Sequence, residues 1–268
     1  MPPGSNAPIC STAPGSPAEQ RPGAEANLQR LMQAGGMEMP AACLFDLDGL
    51  LLDTEPLHAQ AWRQAADHFG LTLEADQLLS LRGRRRLDCA LQVLTWLGDA
   101  GLMVPGTDDL LAIRQPIAEK LLAQAQPIAG AEELLRRCRS LGLPLALVTS
   151  SSRAAVASKI SPHPWIAAVD LQVSGDDPEL ERGKPHPDPF LLAARRLGVN
   201  ASCCWAFEDS PAGARAAAAA GCLVHVLVPP ELKLGDPRAH YGIEALYLHS
   251  LRQVTFPATG LETLAVNQ

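Results

Sequence analysis

A chain of 268 residues with 47% hydrophobic and 19% charged residues can hold one large domain, or a core with a smaller inserted one. A net charge of −7 argues against general binding to nucleic acid or to a membrane surface, and no apolar run approaches the length needed to span a bilayer. The seven cysteines are odd in number and form no C-x-x-C; several lie in apolar strands, which points to a reducing compartment with no disulfide framework and no zinc site.

Residues 1–38 are rich in Pro, Gly, Ala and Ser with almost no hydrophobic periodicity, so a disordered leader is expected. They lack a basic start followed by an apolar core, so no secretory signal is expected. Met37 and Met39 stand just before the first strand and are candidate true starts of translation. The apolar run 41–45 reads as a short buried strand that ends in a pair of carboxylates, Asp46 and Asp48. Gly49 then lets the backbone turn close to whatever those acids hold. Helical spacing covers 57–69, 74–81, 87–97 and 108–125, with no strand candidate in that span. After a helix over 131–141 and a strand from 145, elements alternate: strand 169–174, helix 189–197, strand 203–207, helix 211–220, strand 222–228. Such alternation means a parallel sheet with helices on both faces, whose site lies beyond the carboxyl ends of the strands. The expected organisation is a core over 39–56 and 127–250, a helical insertion over 57–126 and a tail over 251–268.

Acids at the end of a buried strand are costly unless they bind a cation or do chemistry. The first, Asp46, is placed to attack as a nucleophile, and the second, Asp48, to pass a proton. A second apolar strand ends in Thr149 and Ser150, whose hydroxyls can donate hydrogen bonds, and Ser151 or Ser152 can cap the helix that follows. Gly183-Lys184-Pro185 sets a lysine in a loop before a helix, and Glu208-Asp209 ends a third strand just before Ser210-Pro211. Glu208 and Asp209 read either as metal ligands or as an acidic helix start.

Taken in order, these four motifs resemble those of the haloacid dehalogenase superfamily over 41–228, and the helical insertion resembles the small cap of its β-phosphoglucomutase-like branch. The resemblance implies an α/β fold with a Rossmann-like parallel sheet and an inserted α-helical cap. It also implies a Mg2+-dependent phosphatase of small phosphorylated metabolites, with a phosphomutase as the alternative. In the family the metal is held by the nucleophile, by the backbone carbonyl two residues on and by an acid of the last motif. Here those are Asp46, Asp48 and Asp209, with Glu208 in support. Asp46 is then the nucleophile, Asp48 the acid and base, Lys184 the neutralising cation, and Thr149 and Ser150 the phosphoryl donors. The segments 48–55 and 175–185 are most similar to a phosphatase group that includes pseudouridine 5′-phosphatases, glycerol phosphatases and 2-deoxyglucose-6-phosphate phosphatases. His58 either positions cap or substrate or sits on a helix surface. Arg82 and Arg84, in the 81–86 stretch, either read the substrate or begin a solvated basic helix. A cytoplasmic monomer without nucleic-acid or membrane partners is expected.

Overall fold

The computed structural model describes residues 38–230 and 235–257. Most of the expected leader, the candidate start at Met37 and the end of the tail lie outside them. Strand β1 (Ala42–Phe45) is buried along its whole length, as a continuous apolar run in a parallel sheet requires. The chain then leaves the sheet for four helices: α1 (Glu55–His68), α2 (Ala75–Ser80), α3 (Arg86–Asp99) and α4 (Thr107–Leu122). Pro56 and the acidic Glu55 suit the first turn of α1. These helices enclose a core of their own, built on Trp62, Leu73, Val93, Leu97 and Leu110.

Helix α5 (Ala131–Ser140) returns the chain to the sheet at β2 (Leu145–Val148). There follow α6 (Arg153–Ile160), β3 (Leu171–Val173), α7 (Asp188–Leu197), β4 (Cys204–Glu208), α8 (Pro211–Ala219) and β5 (Leu223–Leu227). Helix α9 (Pro237–Tyr241) and β6 (Leu246–Leu248) complete the layer; neither carries enough apolar periodicity to be read in advance. The six strands run in the order β3-β2-β1-β4-β5-β6, and every pairing is parallel. Apolar residues fill both faces: Leu44, Ala146, Phe190 and Val224 on one, Phe45, Leu147, Phe207 and Leu135 on the other. Past β6, Leu251 and Val254 are also buried on the second face. The architecture is the expected parallel sheet with a helical insertion.

The register of the central strands brings their carboxyl ends together. Phe45 lies level with both Leu147 and Phe207, so β1, β2 and β4 end side by side. The order of connections reverses between β1 and β4, which opens a crevice at that edge of the sheet. Cys43, Cys89, Cys138, Cys204 and Cys222 are free, buried thiols. Cys203 is disulfide-bonded, against the expectation of thiols throughout; it lies half-buried at the turn before β4, outside the packed core that encloses Cys204. No helix among the described residues is long and apolar enough to cross a membrane.

Candidate active site

Asp46 follows β1 directly, and its buried carboxylate meets the ammonium of Lys184 at 2.5 Å. The same ammonium donates to Glu208 at 2.5 Å and to the Val148 carbonyl at 2.8 Å, so one lysine ties the ends of β1, β2 and β4 together. Glu208 lies over Gly213, where a Cβ would come within 2.1 Å of its carboxyl group. Ser210 donates to Glu208 at 3.2 Å and, with its lone pairs, caps α8 by accepting from the Gly213 amide at 3.0 Å. Tyr241 on α9 donates to the Asp209 backbone carbonyl at 2.7 Å, an anchor that the sequence reading lacked.

Asp46, Glu208 and Asp209 each offer an oxygen within 4.8 Å of the others. Both carboxylate oxygens of Asp209 are buried and accept no hydrogen bond among the described residues. Burial pushes the Asp209 carboxyl well above its usual range, and the nearby Glu55 and Asp46 push it further. Burial also lifts Asp46, against the pull of Lys184, and carries Glu208 up to about 7. Acids so placed must take up protons or share a cation. A hard divalent cation with oxygen ligands fits this set, so the residues present suit Mg2+.

Asp48 points to a different group of donors. Its Oδ1 accepts from Thr54 at 2.7 Å and from His58 Nε2 at 3.3 Å, and its Oδ2 accepts from Ser151 at 2.8 Å. Lys159 on α6 donates to both oxygens, at 2.5 and 2.6 Å. Burial alone would raise the Asp48 carboxyl, but Lys159 and His58 outweigh it and hold it well below the usual range. The guanidinium of Arg114 donates to His58 Nδ1 at 2.9 Å, which leaves Nε2 as the protonated nitrogen facing Asp48. Burial keeps His58 neutral by lowering its pKa, and it lowers that of Arg114 to about 10.

The sequence reading missed Lys159 and Arg114. Arg114 did leave a signal: it interrupts the buried stripe Leu110, Ala118, Leu122 at four-residue spacing on α4. The signal for Lys159 is weaker. It is one of few lysines in a chain whose cations are mostly arginine, and it follows the second motif by a helix length.

The cap loop presses on the core at three points. Ser150 donates to the Gly83 carbonyl at 2.8 Å, Arg82 donates to the buried Glu55 at 3.1 Å, and a Cβ on Gly183 would meet Arg85 Nε at 2.2 Å. Ser150, expected to donate to phosphate, is thus engaged with the cap, while Thr149 stands 3.5 Å from Asp48 Oδ2. Between cap and core lies a cavity of about 1310 Å3, whose lining includes Asp46, Asp48, Trp62, Arg84, Arg114 and Thr149. Arg84 has no carboxylate partner among the described residues, whereas Arg82 is bound to Glu55. Asp46, Asp48 and Thr149 therefore share one cavity with Ser150, His58 and the cap arginines, while Lys184 lies buried behind Asp46.

Residues 40–221 match the haloacid dehalogenase-like hydrolase family. Hexitol phosphatase A of Escherichia coli is 34% identical over 214 residues, covering 79% of this chain and 92% of that protein. A probable pseudouridine-5′-phosphatase of Drosophila melanogaster is 32% identical over 208 residues, covering 76% of this chain and 87% of that protein. Among solved structures, a β-phosphoglucomutase from Clostridium difficile superposes with a TM-score of 0.67 at 24% identity, covering 81% of this chain and 94% of that one.

Proposed function

Because the chain belongs to the haloacid dehalogenase-like hydrolases and is a phosphoric monoester hydrolase, we propose that it uses Mg2+ and an aspartyl-phosphate at Asp46 to hydrolyse small sugar, polyol or nucleoside phosphates. The observation that carries this reading is Asp46 bound to Lys184 at 2.5 Å, with the partnerless oxygens of Asp209 beside it. Asp46, Asp209, Glu208 and the backbone carbonyl of Asp48 would hold the metal. Bound there, Mg2+ supplies positive charge against which an anionic ester can be attacked.

Phosphate monoesters resist attack because both partners are anions, so the site must neutralise charge and hold the reacting atoms in line. Lys184 already neutralises Asp46 and remains beside it as charge develops on the phosphoryl group. Attack by the Asp46 carboxylate on phosphorus forms the acyl phosphate and breaks the ester bond. Asp48, a carboxylate in the free site, takes a proton from the water that hydrolyses the intermediate and, once substrate displaces its weaker donors, carries that proton to the leaving oxygen of the next ester. Thr149 donates to the phosphoryl oxygens, while Ser150 holds the closed cap by donating to the Gly83 carbonyl. The cap, closed over the cavity by Arg82 and Gly83, excludes bulk water. The names of the two relatives support esters of a polyol and of a nucleoside; the β-phosphoglucomutase likeness supports the fold alone and does not favour a mutase.

The test is phosphate release from a panel of sugar, polyol and nucleoside monophosphates with Mg2+. At least one ester should be turned over, and Asp46→Asn should abolish its turnover while leaving the fold intact. Residual activity above about a tenth of wild type would show that Asp46 is not the nucleophile.

A further inference from the structure

The Lys159 ammonium is buried, and its hydrogen bonds leave nothing for a substrate. It donates to Asp48 Oδ1 at 2.5 Å, to Asp48 Oδ2 at 2.6 Å and to Ser151 Oγ at 2.8 Å. An ammonium has three N–H donors, and all three are used here. Ser151 in turn passes its own hydrogen to Asp48 Oδ2 at 2.8 Å, so lysine, serine and carboxylate close a ring.

The carboxylate is equally full. Besides the ring, it accepts from Thr54 at 2.7 Å, from His58 at 3.3 Å and from Thr149 at 3.5 Å. A carboxylate has about four lone-pair positions, so a substrate oxygen or a water reaches Asp48 only if a donor gives way. The bonds from His58 and Thr149 are the longest, and long bonds are the weakest. Those from Lys159 and Ser151 are short and come from α6 and the strand end before it, within the rigid core.

We propose that Lys159 is a positioning residue for Asp48, anchoring it to the core through the Lys159–Ser151 ring while the longer donors exchange for the reacting oxygen. The inference rests on Asp48 being the proton carrier. Lys159 lines the cavity but makes no hydrogen bond to Asp46, and its three donors are spent on Asp48 and Ser151; it fixes where the proton carrier stands. A misplacement of about 1 Å in such a group is enough to cost about a hundredfold in rate.

The experiment is Lys159→Met, which keeps most of the buried chain and removes the ammonium. It is assayed with Mg2+ on phenyl phosphate and p-nitrophenyl phosphate. The phenolate leaving group is basic, with a conjugate-acid pKa of about 10 as for tyrosine, and needs a proton; nitrophenolate is a far weaker base and needs little help. In kcat/KM, which reports the steps up to release of the phenol and not the hydrolysis of the acyl phosphate common to both esters, phenyl phosphate should lose about 100-fold and p-nitrophenyl phosphate less than about fivefold. Equal loss on both esters, as from a merely structural role, would overturn the inference. So would a raised KM on both, as from a direct phosphate contact. Should Lys159→Met fail to fold, Ser151→Ala breaks the same ring and must show the same ester dependence in smaller measure; equal loss again overturns it. Asp48→Asn on the same esters separates the two layers. If it keeps phenyl phosphate turnover, the proton-carrier reading falls and this inference with it. If it is inactive while Lys159→Met behaves as wild type, only this inference falls.

Discussion

Replacing Gly83 with alanine tests whether the cap loop must seat on the core for activity. Gly83 has φ +72°, a left-handed conformation that costs an L-residue about 1–2 kcal/mol. A Cβ there would lie 2.0 Å from Ser210 Oγ and 2.6 Å from Ser210 Cβ, closer than packed atoms come. Ser210 is held in place, capping α8 through the Gly213 amide at 3.0 Å and donating to Glu208 at 3.2 Å. The loop must therefore lift, which surrenders the Ser150 bond to the Gly83 carbonyl, 2.8 Å long and of about 1 kcal/mol net value. Together these disfavour the seated loop by about 2–3 kcal/mol, or about 30- to 150-fold in population at about 1.4 kcal/mol per tenfold. If only the seated loop completes the site, kcat/KM falls by that factor, while the melting temperature changes little because the sheet core is untouched. Steady-state kinetics on the best ester of the panel, with a thermal melt, measures both. Adding Ser210→Gly removes the obstructing atoms, so the double variant should lose less than the product of the single losses. A Gly83→Ala enzyme within about threefold of wild type would refute the reasoning.

Chelation by EDTA should abolish activity and Mg2+ restore it, with Ca2+ a poor substitute because its larger, looser shell misplaces the reacting groups; full activity in a metal-free preparation would remove the role given to Asp46 and Asp209. In the metal-free protein, burial raises Glu55 and Glu208 from 4.5 to about 7, so the stability they allow is full below the unfolded value and is lost as pH rises through about 7. The metal-free melting temperature should accordingly fall between pH 5 and 8, and the increment from added Mg2+ should grow over the same window; a flat metal-free profile would contradict this. Phe207→Ala removes a ring stacked on Phe45 at 4.6 Å in the sheet core and should cost about 3–5 kcal/mol in denaturant unfolding. A loss below about 1 kcal/mol would mean that the core refills the space.

The sequence by itself determined the core of this protein and the chemistry at its strand ends. Fully buried parallel strands have to be short apolar runs, so β1, β2, β4 and β5 stand out, and the acids and hydroxyls at their ends have no apolar reason to be there. Asp46, Asp48, Thr149, Glu208 and Asp209 could be named for that local reason, whereas Lys184, in the loop after β3, was singled out by the order of the four motifs. Edge strand β6 is three residues long and only partly buried, so it left no such pattern. What only the tertiary structure decided is which side chains meet across the chain. Lys159 lies 111 residues from Asp48, and Arg114 lies 56 from His58, separations at which no local periodicity reports a contact. The same holds for the cap: 81–86 could be read as a loop rich in arginine, but not that Arg82 would be bound to Glu55 while lining the cavity beside Arg84. That choice depends on how the cap seats against Ser150, Gly183 and Ser210. Strand ends are fixed by short-range hydrophobic pattern, whereas partners are fixed by packing geometry, which appears only once the sheet has aligned its carboxyl edges and the cap has closed over them.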